Sequence, residues 1–468
     1  MSATYEQFIA EKVVRASSCG FDWPCTDEGL PRGDKHLFDW QKKILSDACE
    51  RGKSAVFADC GMGKTAIQVM WADAVSRHTG GGRVLIVAPL AVAPQTVREA
   101  ASFGKDVVQV RSELETKHAA GTVFVTNYEM LDKFDTESYT GVVLDESSIL
   151  KSFTGKTKRK IISAFAATPY RLACTATPSP NDLMELLNHA EFLGVMRSSE
   201  ALSEWFIAEQ GQSGNYRLKR HAERDFWRWV ASWATAASRP SDVGDYSNEG
   251  FELPKLIETD VVVSVDQTEG AQGALFRDIS MSATGFQREK VRTLAARCAK
   301  SAEIANDADG QVVVWCYRND EADELVRLIP GAVEVRGSDS IEDKESAVMG
   351  FVDGKFKVLI SKPQMFGYGL NLQNCHECVF CGMDYSYEGY YQAVRRFYRF
   401  GQESDVHVWR VLGDTELNIL STIGRKADMH KRMTESIASS MRDASRGGDR
   451  FTVGARADGV EVADWMKA

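Results

Sequence analysis

The sequence is short of the features that usually sort a chain at a glance. Over 468 residues the formal net charge is -10, so the basic balance that marks many nucleic-acid binders is missing. Local basic patches must supply any phosphate contacts. No apolar run is long enough for a membrane span, which needs about 20 residues; the longest, around Val84–Ala93, contains Pro89. The stretch Met1-Ser2-Ala3-Thr4-Tyr5-Glu6 has no basic region followed by an apolar one, so no signal peptide is expected. The ten cysteines are scattered and mostly sit in apolar runs, which argues against a disulfide framework and for a reducing cytoplasm. Cys375-His376-Glu377-Cys378-Val379-Phe380-Cys381 tempts a zinc reading. No second cluster follows at a suitable spacing, and its alternating apolar residues predict a buried strand instead. No nuclease or methyltransferase motif is visible.

What is present is a soluble globular composition, 44% hydrophobic and 26% charged, in a chain long enough for two or three domains. Its focus is Ala58-Asp59-Cys60-Gly61-Met62-Gly63-Lys64-Thr65. The apolar Ser54-Ala55-Val56-Phe57 precedes it and a helical pattern, Ala66–Ala72, follows. A strand, a glycine-rich turn and a helix opening on Lys-Thr predict a phosphate-binding loop. The glycines allow backbone N–H groups to close on phosphate oxygens, and the helix N-terminus adds partial positive charge. Lys64 would reach the β- and γ-phosphates of ATP, and the Thr65 hydroxyl would bind Mg²⁺. Upstream, Gln41 follows Phe38 and Trp40; it reads either as a reader of the adenine edge or as a surface glutamine at a helix start.

From there short apolar runs alternate with helical patterns: Val84–Ala88, Val107–Val110, Val123–Thr126 and Val142–Leu144. That alternation predicts a parallel sheet flanked by helices, with ligands at the strands' carboxyl ends. Asp145-Glu146 stands at such an end. Asp145 would hold Mg²⁺ through water, and Glu146 would act as general base on the attacking water. Lys151, Lys156, Lys158, Arg159 and Lys160 form a basic run, either a solvated helix face or a phosphate-binding patch. Arg171–Pro178 reads as a strand ending in small hydroxyl residues, Thr175 and Thr177.

Together these pieces resemble the superfamily-two helicases and translocases, within them the Swi/Snf branch. A second series carries the resemblance onward: Gly367-Tyr368-Gly369-Leu370-Asn371-Leu372-Gln373 is similar to the fifth motif, and Gln392-Ala393-Val394-Arg395-Arg396-Phe397-Tyr398-Arg399-Phe400-Gly401-Gln402 to the sixth. Counted from Gln392, the matching arginines are Arg396 and Arg399. At that spacing they are expected on one helix face, where they would neutralise charge on the γ-phosphoryl oxygens. The resemblance implies two tandem RecA-like domains, α/β with parallel sheets, joined by a small helical insertion. It implies catalytic roles for Lys64, Asp145, Glu146, Arg396 and Arg399. Nucleotide contacts are implied for Gln41, Gly61, Met62, Gly63, Lys64, Thr65, Gly369 and Gln392, and metal contacts for Thr65 and Asp145. Nucleic-acid contacts are expected at Thr126, Lys151, Arg217, Lys219, Arg220 and Asn371. The implied cofactors are ATP and Mg²⁺; the implied partner is DNA, double-stranded in the Swi/Snf branch, with no membrane. The compact motor and Tyr385-Ser386-Tyr387-Glu388 resemble phage- or prophage-encoded members, placing the protein in a bacterial or phage-host cytoplasm. One departure is Ser148, where the family has histidine.

The expected boundaries are an N-terminal extension at 1–35, an ATP-binding domain at 36–195, a helical linker at 196–255, a C-terminal helicase domain at 256–440 and a tail at 441–468. In the linker, Tyr216–His221 and Phe226-Trp227-Arg228-Trp229 interleave aromatic and basic residues. They read as a backbone-tracking surface or, favoured here, as the core of a small helical insertion. A strand-separating DNA or RNA helicase, and a binding module using ATP only structurally, are the competing functional readings.

Overall fold

The computed structural model describes residues 19–23, 35–90, 92–209, 216–264, 283–366 and 372–447. The sequence candidates Gly369 and Asn371 lie outside them. The chain divides into two units, Met1–Asn248 with Met429–Ala468, and Glu249–Asp428.

Runs of β-branched and apolar residues suit strands buried on both faces, as parallel sheets require. In the first unit they form β1 (Lys53–Ala58), β2 (Val84–Ala88), β3 (Val108–Gln109), β4 (Val123–Asn127), β5 (Gly141–Asp145) and β6 (Tyr170–Cys174). β2, β4, β5 and β6 are buried at every position. Helices intervene: α1 (Asp39–Arg51), α2 (Lys64–His78), α3 (Ala93–Ser102), α4 (Lys156–Ala164) and α5 (Leu186–Leu193). In α2 almost every residue from Ala66 to Ser76 is buried, so this helix has no wet face. All strand pairs of the sheet are parallel, in the order β3-β4-β2-β5-β6-β1 followed by a seventh strand, β9 (Ala234–Ala237).

The seventh strand corrects the reading of the linker. Residues 196–255 supply α6 (Ser198–Trp205), an antiparallel hairpin of β7 (Phe206–Ala208) and β8 (Tyr216–Leu218), α7 (Glu223–Trp233) and then β9 (Ala234–Ala237). β9 joins the edge of the main sheet beside β1. Its sequence, Ala-Thr-Ala-Ala, has little strand propensity; fully buried pairing with β1 overrides that. The aromatics of this region are core. Phe226, Trp227, Trp229 and Trp233 of α7 are buried. Trp229 packs on Trp205 at 5.8 Å and on Trp233 at 5.5 Å, and Trp233 reaches Phe57 of β1 at 6.2 Å.

The second unit holds β10 (Leu256–Val263), β11 (Val312–Trp315), β12 (Val333–Val335), β13 (Val358–Ser361), β14 (Glu377–Cys381) and β15 (Val406–Gly413). They are again all parallel, in the order β10-β15-β14-β11-β13-β12. Its helices are α8 (Ala283–Arg292), α9 (Leu294–Asp307), α10 (Asn319–Leu328), α11 (Ile341–Val352) and α12 (Tyr387–Val394). Cys375, Cys378 and Cys381 lie buried in and beside β14. Among the described residues no group of histidine, cysteine and carboxylate side chains is arranged to hold a metal ion. A fully buried guanidinium, Arg297 of α9, is held by Glu321 at 2.8 Å, the Thr293 hydroxyl at 2.9 Å and the Cys381 carbonyl at 3.0 Å. The long final helix, α13 (Leu417–Gly447), places Met433 and Ile437 in the apolar core of the first unit. No described helix is long and apolar enough to cross a membrane.

Candidate functional site

The site begins where β1 ends. Lys64, at the start of α2, turns its ammonium back onto the loop and donates to the carbonyls of Ala58 at 2.9 Å and Asp59 at 3.3 Å. Burial pushes the ammonium's pKa down. The Cys60 thiol and the carboxylates of Glu146, Asp59 and Asp145 outweigh it, so the net shift is upward and the charge is kept. Gly63 sits at φ 72°, and a Cβ there would lie 2.3 Å from Gln41 Nε2. Glycine is therefore required on two counts. Gln41 is buried; its Nε2 donates to the Met62 carbonyl at 3.2 Å and its Oε1 accepts the Phe38 amide at 2.9 Å. Gln41 thus ties the start of α1 to the phosphate loop, and the surface-glutamine reading falls. Phe38 is 49% exposed and lies parallel to Trp40 at 6.0 Å.

Asp145 and Glu146 leave β5 beside this loop. Asp145 is buried, and its Oδ1 accepts from Gln68 Nε2 at 2.7 Å and from the Glu146 amide at 3.1 Å. Burial raises its pKa against the opposing effects of Gln68, Lys64 and the Glu146 amide. Glu146 takes the left-handed conformation, φ 50° and ψ 55°. It is the one described non-glycine residue at positive φ, a strain of about 1–3 kcal/mol that surrounding contacts must hold. Its Oε2 accepts the Thr175 hydroxyl at 3.1 Å, and Thr175 Oγ1 in turn accepts the Thr177 amide at 3.1 Å.

Sequence reasoning missed two supports. Gln68 lies one helical turn beyond Lys64 and so shares its face; a glutamine inside an otherwise enclosed helix was the available signal. Tyr128, just after β4, donates its hydroxyl to the Asp145 carbonyl at 2.7 Å. Burial, then the charges of Asp145 and Glu146, raise its pKa and keep it a donor. Together Thr65 and Asp145 offer the hard oxygen donors that suit Mg²⁺. Gln68 Oε1 nearby is buried without a hydrogen-bond partner among the described groups, and a magnesium-bound water would satisfy it.

In the second unit the expected helical arginine face is not formed. α12 ends at Val394, and Arg396 and Arg399 follow in the turn beyond. The turn is pinned by Gln402. Its buried Nε2 bonds the carbonyls of Gln373, Cys375 and Phe397, each at 3.2 Å, while Leu372 N donates to the Arg396 carbonyl at 3.0 Å. Arg395 is spent on Tyr391 and Tyr398, over whose rings it lies at 5.3 and 5.2 Å. Arg396, Arg399 and Gln392 are all partly exposed.

The nucleic-acid candidates scatter. Lys151, Arg217 and Arg220 are exposed. Thr126 is 1% exposed within β4, which puts its hydroxyl inside the protein rather than at a surface. Lys219 caps α6, donating to the carbonyls of Ser203 at 2.8 Å and Glu204 at 2.7 Å. Within the basic run, Lys158 is buried on Glu191 at 2.7 Å and Lys160 pairs with Asp132 at 2.6 Å, so the run is not a single solvated face.

Residues 38–186 match the DEAD/DEAH box helicase family, and residues 292–401 match the helicase conserved C-terminal domain. The chain is 24% identical over 429 residues to "Putative protein p41" of Acyrthosiphon pisum secondary endosymbiont phage 1, covering 78% of this chain and 88% of that one. It is 22% identical over 472 residues to the SWI/SNF chromatin-remodeling complex subunit snf22 of Schizosaccharomyces pombe. That alignment takes in 86% of this chain but only 28% of the yeast protein. A Sulfolobus solfataricus SWI2/SNF2 ATPase core in complex with dsDNA aligns over 92% of this chain and 98% of its own, at 14% identity and a TM-score of 0.42, a likeness too loose to add weight.

Two parallel-sheet domains, the first with a phosphate loop and an Asp-Glu pair at its strand ends, define an ATP-hydrolysing enzyme of helicase superfamily two. Within that superfamily the chain is similar to Swi/Snf proteins, snf22 among them, at 22% identity.

Proposed function

We propose that the protein is an ATP-driven motor that moves along double-stranded DNA without separating its strands. The observation that carries this reading is the cluster of Lys64, Asp145, Glu146 and Thr175 at the carboxyl edge of one sheet, in a chain whose yeast relative is named for chromatin remodelling. Lys64 exchanges the Ala58 and Asp59 carbonyls for the β- and γ-phosphate oxygens. Thr65 and Asp145 would hold Mg²⁺, which when bound offsets the charge of the triphosphate. Glu146, oriented by Thr175, takes the proton of the attacking water. Arg396 and Arg399 are assigned to the charge that develops on the γ-phosphoryl group. Lys151, Arg217 and Arg220 are assigned to the DNA backbone. The phage relative supports a phage or prophage source.

The test is ATP turnover with duplex DNA, single-stranded DNA and RNA, alongside a strand-displacement assay. Stimulation by duplex alone, without displacement, is expected. Stimulation by single strands or displacement of a strand overturns the duplex-tracking reading, and absence of turnover with every ligand overturns the motor.

A further inference from the structure

Glu146 is held in a strained conformation, and besides the hydrogen bond of its amide to Asp145 the contacts at this turn come from outside its own strand. Thr175 fixes the carboxylate, but the turn that follows needs its own anchor. Among the described residues the Ser148 hydroxyl reaches the Glu146 carbonyl, at 3.5 Å. The residue between them is tied differently. Ser147 is fully buried, and its hydroxyl lies 3.1 Å from Nε2 of His189, a buried residue of α5. Nδ1 of the same ring lies 3.4 Å from the Glu185 carbonyl. A carbonyl only accepts, which puts the ring's single proton on Nδ1 and leaves Nε2 to accept from Ser147. The preceding residue of α5, Asn188, makes a parallel tie: its Nδ2 donates to the carbonyls of Leu150 at 2.8 Å and Lys151 at 3.3 Å. α5 therefore grips the whole turn after the carboxylates. The chain reaches α5 from the Thr175–Thr177 segment that holds the carboxylate itself, through a short 3-10 turn at Leu183–Glu185.

We infer that His189 is a positioning residue for ATP hydrolysis: by accepting the Ser147 hydroxyl it sets the left-handed turn that aims Glu146. This inference rests on the reading of Glu146 as general base. An imidazole thus arrives at the carboxylate turn from another element, in a chain with serine at 148. In the neutral ring Nε2 accepts and Ser147 donates; protonation at Nε2 would reverse that bond and put a charge in a buried site.

The experiment compares wild type with Ser147→Ala, His189→Leu and His189→Gln in the full chain. It reads kcat with saturating duplex DNA, and affinity for a fluorescent ADP analogue. Loss of one hydrogen bond that acts on the transition state predicts a fall in kcat of about tenfold. Both Ser147→Ala and His189→Leu should show it, with nucleotide affinity unchanged. The double variant Ser147→Ala/His189→Leu should be no slower than either single change. Glutamine at 189, which keeps an acceptor, should recover most of the rate. Ser147→Ala removes one hydroxyl and carries the test if His189→Leu does not fold. Wild-type rates in Ser147→Ala, additive losses in the double variant, or equal falls in affinity and kcat each overturn the inference while leaving the proposed function standing. A wild-type chain without turnover overturns both.

Discussion

At the scale of single residues, Glu146 and His189 carry the sharpest expectations. Glu146→Gln keeps the shape and the Thr175 contact but cannot take a proton. Turnover should fall by at least about 100-fold, with nucleotide binding retained in a fluorescence titration; unchanged turnover would remove Glu146 as general base. His189 predicts a pH effect on stability. Its ring faces Phe57 of β1 at 5.3 Å, Ser147, and the carbonyl of Glu185 on its own helix, and no charged side chain contributes to its shift. Burial pushes its pKa from 6.5 down to about 4, against the upward pull of the Glu185 and Ser147 backbones. In the unfolded chain the imidazole takes a proton as pH falls past 6.5, while the folded one stays neutral until about 4. The stability due to this group is whole above the first value and lost as pH falls through that window. The loss is at most about 3 kcal/mol. Urea unfolding between pH 7.5 and 5 should show wild type losing stability faster than His189→Gln.

At the scale of elements, the second unit depends on a buried charge. Arg297 of α9 and Glu321 of α10 are both fully buried, and Glu321 also accepts the amides of Tyr317 at 2.9 Å and Arg318 at 3.1 Å. This joins β11, α9 and α10 through one carboxylate. Glu321→Leu leaves a guanidinium in the core with Glu416 at 3.6 Å as its remaining carboxylate, and should destabilise by about 3–5 kcal/mol. Pairing it with Arg297→Met should recover much of that loss, measured as the unfolding midpoint. Equal midpoints for wild type and Glu321→Leu would show that the pair contributes nothing net.

At the scale of the whole molecule, the two sheets and the glycine turn between β1 and α2 were legible because their signals are local. Apolar runs mark strands, and the spacing from Gly61 to Thr65 marks the turn. What escaped was decided by distant packing. Ala234–Ala237 has no strand pattern of its own and becomes one only beside β1. Gln68 reaches the Asp145 carboxylate, Tyr128 the Asp145 carbonyl and His189 the Ser147 hydroxyl, each from a separate element, so no spacing announces them. The arginines near Gln402 were expected on a helix face and lie instead in a turn, because Gln402 and Leu372 bind the backbone after α12. These arginines make the molecule-wide prediction. Arg396→Ala and Arg399→Ala alter the second unit alone, so nucleotide affinity at the Lys64 loop should persist while turnover drops by about 10³-fold. A parallel loss of affinity and turnover would assign them to ground-state binding instead.

The edge position of β9 also sets when this protein can fold during its own synthesis. β1 emerges early from the ribosome, yet its neighbour Ala234–Ala237 pairs with Ala55–Ala58, and Met433 and Ile437 complete the same core later still. Until then an unpaired β1 edge is a template for wrong partners. The nascent chain is thus expected to need shielding by a holdase until β9 and the Met433–Ile437 segment have been translated.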